Sequence, residues 1–216
     1  MVMNEVVLFG VGSFAQVAHV YLSRDSTYQV VAFTVHEDYI QETSLMGLPV
    51  TPFETMCESH PPGSHAMFVA IGYSRRNRAR SAIYYECKNK GYELISYVNS
   101  KAVLWDEVPM GDNCFIFENN VIQPFARIGS NVIIWSGNHI GHHSVIGNHC
   151  FIASHAVISG NCTIEDGCFI GVNATLRDGI RVARNSLIGA GALILHDTVE
   201  GAVYKGPETL PCELEE

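Results

Sequence analysis

One feature restricts this chain more than any other: an aliphatic residue returns at every sixth position from Ile116 to Ile194. The run is Ile116, Ile122, Ile128, Ile134, Ile140, Ile146, Ile152, Ile158, Ile164, Ile170, Leu176, Val182, Ile188 and Ile194, with no beat missed. A helix repeats its apolar stripe at three and four residues and a half-buried strand alternates at two, so neither yields a strict period of six. Stacked hexapeptide coils do.

The residues two places before these aliphatics are almost all small: Cys114, Asn120, Ala126, Val132, Asn138, Ser144, Cys150, Ala156, Cys162, Cys168, Ala174, Ile180, Ser186 and Ala192. That is expected where the chain turns a tight corner beneath the next rung. Glycine follows the aliphatic at Gly129, Gly141, Gly147, Gly171 and Gly189, and we expect these to serve turns with positive φ. The double pattern resembles the left-handed parallel β-helix of the hexapeptide-repeat acyltransferases, which implies an all-β domain over 101–216.

The repeat leaves the first hundred residues for a second domain, 1–100. The apolar run Glu5 to Gly10 is followed by Gly10, Gly12 and Ala15 in GVGSFA and then by a helical pattern. A strand, a glycine turn and a helix N-terminus form a place where backbone N–H groups hold phosphate, although GxGxxA alone is a weak signal and also suits a plain βα turn. Further strands are expected at Tyr28–Val35, Leu48–Val50, His65–Gly72 and Tyr92–Val98, with a helix from Arg75 to Gly91. This alternation predicts a small Rossmann-like α/β domain with a parallel sheet. The unit is too short for both halves of a dinucleotide redox site.

A formal charge of −9 leaves no basic stripe for nucleic acid, and no apolar run is long enough to cross a membrane. Small-molecule partners and a cytoplasmic location are expected, with no secretory leader at MVMNEVVLFG. Four of seven cysteines, Cys114, Cys150, Cys162 and Cys168, fall in the small corner slot and read as buried fillers, while Cys57, Cys87 and Cys212 show no CxxC spacing.

Five histidines lie close together: His139, His142, His143, His149 and His155. With three hexapeptides, about 18 residues, per coil, His142 stacks beneath Gly160. An imidazole beside a glycine backbone N–H suits acyl transfer, since a base must take a proton while a donor meets the developing oxyanion. His155 stacks over Gly137 and beneath Asn173. Asn120 and Asn138 read as a structural amide ladder. His149 and His155 read most simply as solvated turn residues, whereas His139 and His143 stay open. Zinc held by histidines is the competing use, but six-residue separations send His143, His149 and His155 to different faces, so no metal is expected.

The GxGxxA domain, the strand FVAIG and the uninterrupted repeat together resemble the bacterial nucleotide-sugar N-acetyltransferases of the sialic-acid O-acetyltransferase-like family. The resemblance implies an acetyl-CoA-dependent N-acetyltransferase that acts on a nucleotide-linked amino-dideoxy sugar for surface polysaccharide or glycan synthesis. It places the catalytic base at His142 in IWSGNHIGHHSVIG and the oxyanion donor at Gly160. It implies a homotrimer with acetyl-CoA in the groove between subunits near Phe151, Gly160, Val172 and Ala190. The nucleotide sugar would be held by Gly12, Ser13, Phe14, Val35, His36, Gly72, Tyr73 and Ser74. Phe14 stands where the family commonly has His, Val35 and His36 where it has Asp, and His143, counted here with the catalytic residues, where an acidic residue usually follows the base. The ending is reduced to KGPETLP, with Lys205 the nearest cation for CoA phosphates. A sugar O-acetyltransferase and a non-enzymatic or zinc-binding β-helix are the alternatives.

Overall fold

The computed structural model describes residues 4–74, 77–105 and 108–208. Its first part is a five-stranded sheet of β1 (Glu5–Phe9), β2 (Gln29–Val35), β3 (Ser44–Leu45), β4 (Leu48–Pro52) and β5 (Ala66–Val69), in the order β3-β4-β2-β1-β5. Three helices accompany it, α1 (Ser13–Asp25), α2 (Met56–Ser59) and α3 (Arg78–Asn89). All pairings are parallel except β3 with β4. That hairpin turns through Met46 and Gly47, both at positive φ (51° and 82°), which matches the twist of the paired strands. The polar segment after β2 gives no sign of it in the sequence. The strands β1 and β5 are apolar without alternation because both of their faces are covered. Val6, Leu8, Phe33 and Phe68 pack with Ala15, Ala18 and Leu22 of α1, while Val7, Phe9, Met67 and Val69 pack with Met56, Ile83 and Cys87.

The expected closing strand Tyr92–Val98 divides between the two parts. Leu94 bridges Met67 at the sheet edge, whereas Tyr97–Val98 pairs with Phe115–Ile116 and opens the repeat a few residues ahead of 101. The helix expected from Arg75 is described from Arg78, and residues 75 and 76 lie outside the described residues.

The repeat is a parallel β-helix with three faces, of seven, six and four strands. Ile133 pairs with Phe151, His139 with Val157 and Val145 with Thr163, a uniform step of eighteen residues. The last rung departs from it: Leu187 pairs with Val203, sixteen residues on. The sixth-position aliphatics and the small corner residues, the four cysteines among them, form one buried column. The cysteine thiols point to carbonyls one turn on, as Cys114 Sγ does to Gly129 O at 3.1 Å.

The corner glycines act differently from the expectation. Gly129, Gly141, Gly147, Gly171 and Gly189 are not among the residues at positive φ. They are small because coils touch there: a Cβ on Gly141 would lie 2.5 Å from Gly160 N, and one on Gly171 2.6 Å from Ala190 N. The left-handed position is three residues before each aliphatic, occupied by Asn113, Asn119, Asn131, His143, His149, His155 and Asn161 among others. Asn and His are among the residues that tolerate this region best.

Each face has its own surroundings. The seven-stranded face turns Phe115, Ile133 and Phe151 outward into a core shared with Phe14, Phe68 and Tyr97, so the α/β domain covers it. The six-stranded face leaves Val103, Val121, Val157 and Leu193 exposed. The four-stranded face carries Arg127, Val145, Thr163 and Arg181.

Candidate active site

Among the described residues, two places combine accessible space or exposed reactive groups with functional side chains. The first is a cleft of about 590 Å³ at the C-terminal ends of β1, β2 and β5, the end of a parallel sheet where ligands usually bind. Gly12, Ser13, Phe14, Val35, His36 and Gly72, all marked from sequence, line it together with Tyr39 and Ala79. Gly10 must be glycine, since its φ is 128° and a Cβ would come within 2.7 Å of Ala70 O. The N-terminus of α1 faces this cleft with no side-chain cap and no acidic residue in its first turn, so its free N–H groups and positive dipole end stay available to an anion. His36 is held by Glu54 (Nδ1 to Oε1, 2.7 Å) and Glu86 (Nε2 to Oε2, 3.5 Å), edge-on to Phe9 and Phe53. Carboxylates thus stand just behind the end of β2, although β2 itself ends in Val35.

Tyr73 and Ser74 do not line this cleft. The Tyr73 ring lies over Phe151 and Phe169 at 5.1 and 4.8 Å, on the rim between the domains. Phe151 itself is 4% exposed, its side chain turned into the core shared with the α/β domain, so any contact it offers to acetyl-CoA is through its backbone. Val172 and Ala190 are exposed and one coil apart on a single edge of the prism, while Gly160 is on another.

The second place is that other edge, between the six- and four-stranded faces. The ring of His142 lies against Gly160, where a Cβ would meet both Cε1 and Nε2 at 2.7 Å. Among the described residues the Gly160 N–H has no acceptor, whereas the amide of Asn161 bonds to His142 O at 2.8 Å and locks the two coils together. His142 N donates to Gln123 Oε1 at 2.9 Å, and His142 Nδ1 is 3.2 Å from His143 Nδ1. Both rings are exposed. Gln123 carries no mark in the sequence beyond its place next to Pro124, the residue one coil of eighteen before His142.

The remaining histidines separate by corner and face. His155 is exposed with its ring against Gly137, and His139 sits on the six-stranded face between Val121 and Val157. His149 corrects the expectation of a solvated turn residue. It is 9% exposed, its Nδ1 accepts from Asn131 Nδ2 (2.8 Å), and Nε2 lies 3.1 Å from Tyr85 Oη. Asn131 Oδ1 already accepts from Arg80 and Asn113, so its Nδ2 must be the donor, which leaves the imidazole proton on Nε2. Among the described residues no group of three His, Cys, Asp or Glu is placed to hold a metal ion.

Burial, and then the Arg80 cation, lower the His149 pKa from 6.5, with Asp166 and Asp112 opposing. The unfolded chain therefore takes up a proton near pH 6.5 that the folded chain refuses, so this contribution is full above that pH and falls away as pH drops towards the folded value. We expect His149→Asn, compatible with a left-handed corner, to flatten that part of the stability profile. Urea unfolding of both proteins at about pH 7 and about pH 5.5 checks it; equal losses on acidification would contradict the assignment.

His149 belongs to a larger junction. Arg80, fully buried on α3, donates to Asn131 Oδ1, Asn131 O, His149 O and Cys150 O of the β-helix and to Gly72 O and Asn77 Oδ1 of its own domain. Burial pushes its pKa down to about 10, which still leaves it a cation at neutral pH. Asn77 adds bonds to Gly167 O and Cys168 O, and Val69 N donates to Asn113 Oδ1. This junction holds Gly72, one wall of the cleft, against the prism.

The repeat is thus a three-faced parallel β-helix of hexapeptide coils with an imidazole lying on a glycine at one corner. The model of the bacterial transferase hexapeptide (six repeats) matches residues 110–141, 125–160 and 161–196, so this stretch consists of such repeats. No curated protein matches the sequence. Among solved structures, the chain superposes on the acetyltransferase domain of PglB from Neisseria gonorrhoeae FA1090 with a TM-score of 0.82 and 24% identity, covering 93% of this chain and 95% of that one. PerB from Caulobacter crescentus, in complex with CoA and GDP-perosamine, gives 0.82 and 23%, covering 93% of each. WeeI from Acinetobacter baumannii AYE gives 0.78 and 21%, with 92% and 94% covered. At these identities the likeness is one of fold, and it spans both domains.

Proposed function

We propose that this protein is an acetyl-CoA-dependent N-acetyltransferase that modifies the amino group of a nucleotide-linked amino-dideoxy sugar in surface polysaccharide or glycan synthesis. The observation that carries the reading is the His142 ring lying on Gly160 beside an amide that no described residue engages. The nucleotide moiety is assigned to the cleft, where the α1 N-terminus meets the diphosphate. PerB, of like fold, is described with CoA and GDP-perosamine, and PglB with an acetyltransferase domain.

The pairing of the two histidines sets the proton inventory. For His142 to act as base at Nε2, its Nδ1 must carry the proton and donate it to a neutral His143 Nδ1. As the amine nitrogen bonds to the acetyl carbon and the C–S bond breaks, Nε2 takes the amine proton and then yields it to the departing thiolate. The Gly160 N–H faces the charge growing on the carbonyl oxygen. His143 is thus a positioning residue that accepts a hydrogen bond, the part a carboxylate would otherwise play.

The base and the cleft stand on opposite sides of one chain, since the α/β domain covers the face across the prism from the His142 edge. A neighbouring copy brings them together. The six-stranded face, with Val103, Val121, Val157 and Leu193 exposed, is a suitable apolar contact, and a homotrimer closes on a three-sided prism. Between copies, the Gly160 edge and the Val172–Ala190 edge line one groove for acetyl-CoA, with Lys205 near its phosphates. A left-handed coil, a Rossmann-like first domain and a cytoplasmic setting belong to the same reading.

The test is thiol release from acetyl-CoA with UDP-, GDP- and dTDP-linked amino sugars and their hydroxyl counterparts. At least one amino sugar should be acetylated at nitrogen. Faster transfer to a hydroxyl, or no transfer to any acceptor, would overturn the reading.

A further inference from the structure

Phe125 is out of place on ordinary structural grounds. It occupies a left-handed corner with φ 64°, a region costly for a bulky side chain, and it is 70% exposed. Every other described corner of this kind carries Asn, His or Gly, and Asn serves at six of them: Asn113, Asn119, Asn131, Asn161, Asn173 and Asn185. Folding therefore does not require an aromatic ring at 125, and the ring adds nothing to the core. Its aromatic contact is with His143, at 4.6 Å between ring centroids and a tilt of 34°.

Position decides what the ring is for. Along the prism, Phe125 lies one coil before His142 and His143, and Gly160 lies one coil after them. The base thus has the oxyanion donor on one side and an exposed aromatic surface on the other. With the thioester carbonyl assigned to the Gly160 side and the rest of the donor to later coils, the body of the acceptor is left to the Phe125 side.

We infer that Phe125 is a specificity-determining platform for the acyl acceptor, selecting a sugar that turns a deoxy carbon or methyl group towards the ring. The inference rests on the transferase reading above. A C–H face loses nothing when it displaces water from an aromatic surface, whereas a hydroxyl there loses its solvent partners and finds none in the ring. Strain at an exposed aromatic beside a reactive group is the pattern expected where ligand contact, rather than packing, keeps the residue in place.

Phe125→Asn tests this, because Asn suits the corner. The variant should keep the oligomeric mass of the wild type, melt at the same temperature or higher, and keep its KM for acetyl-CoA. Its KM for a deoxy amino-sugar nucleotide should rise about tenfold, the effect of losing one well-placed contact, and its preference over the 6-hydroxyl counterpart should shrink. Unchanged acceptor KM and unchanged selectivity would overturn the platform while leaving the transferase reading intact. Loss of oligomeric mass would also overturn it, by making Phe125 a subunit contact. A wild-type protein that acetylates nothing would overturn the transferase reading and the platform together.

Discussion

Replacing His142 with Asn or Ala is expected to lower turnover by about 10²-fold or more, the usual loss on removing a general base. The melting temperature should not move. The His142 ring is exposed, and what its residue contributes to the fold comes through its backbone, which accepts from Asn161 N and donates to Gln123 Oε1. KM for acetyl-CoA should also be unchanged, since the Gly160 amide and the corner glycine Gly141 keep their places. Steady-state kinetics beside a thermal melt separate these effects. Near-normal turnover in a folded His142→Ala protein would remove this residue from the chemistry.

The second large effect is one of stability. Arg80→Met keeps much of the aliphatic stem but leaves carbonyls of two domains without donors, at a cost of about 3 kcal/mol in total when one to two buried acceptors stay unsatisfied. Arg80→Lys should not restore the loss. Three ammonium protons on a single point cannot reproduce a planar fork that reaches Gly72, Asn77, Asn131, His149 and Cys150 together. Differential scanning calorimetry should show a lower midpoint for both variants, with the α/β domain and the β-helix melting less cooperatively. A wild-type melt for Arg80→Met would mean that water replaces the guanidinium without penalty.

How much of this was readable in advance depends on whether a feature repeats. The β-helix was, because one buried column imposes the same demand every six residues, and adding eighteen was enough to set His142 beside Gly160 and His155 over Gly137. The cleft was too, through GVGSFA and FVAIG, because a βα turn leaves a local mark. Features set by which face the first domain covers were not. Phe151 and Phe169 occupy the same repeat position as other outward residues, and nothing periodic tells that Phe151 is buried beneath another domain. The same holds for His149, equivalent by spacing to the exposed His143 and His155 but drawn into the junction by Tyr85 and Arg80. Nothing in the sequence of α3 distinguishes Arg80 from a cation on a solvated helix face. The corner glycines failed for a different reason: a small residue at a turn can answer to backbone angle or to proximity, and only the stacking distance between coils separates the two.

The uniform step of eighteen residues also constrains how such a molecule can change length over evolutionary time. An insertion of one hexapeptide would rotate every later rung by one face, moving outward residues suited to solvent under the first domain, and between His142 and Gly160 it would carry the glycine away from the imidazole. A whole coil could be gained or lost with the faces kept in phase, provided it lay beyond the reactive corner. The heritable unit of this domain is therefore the coil, and its length is quantised. The final rung, sixteen residues from Leu187 to Val203, is where that arithmetic stops and the stack ends.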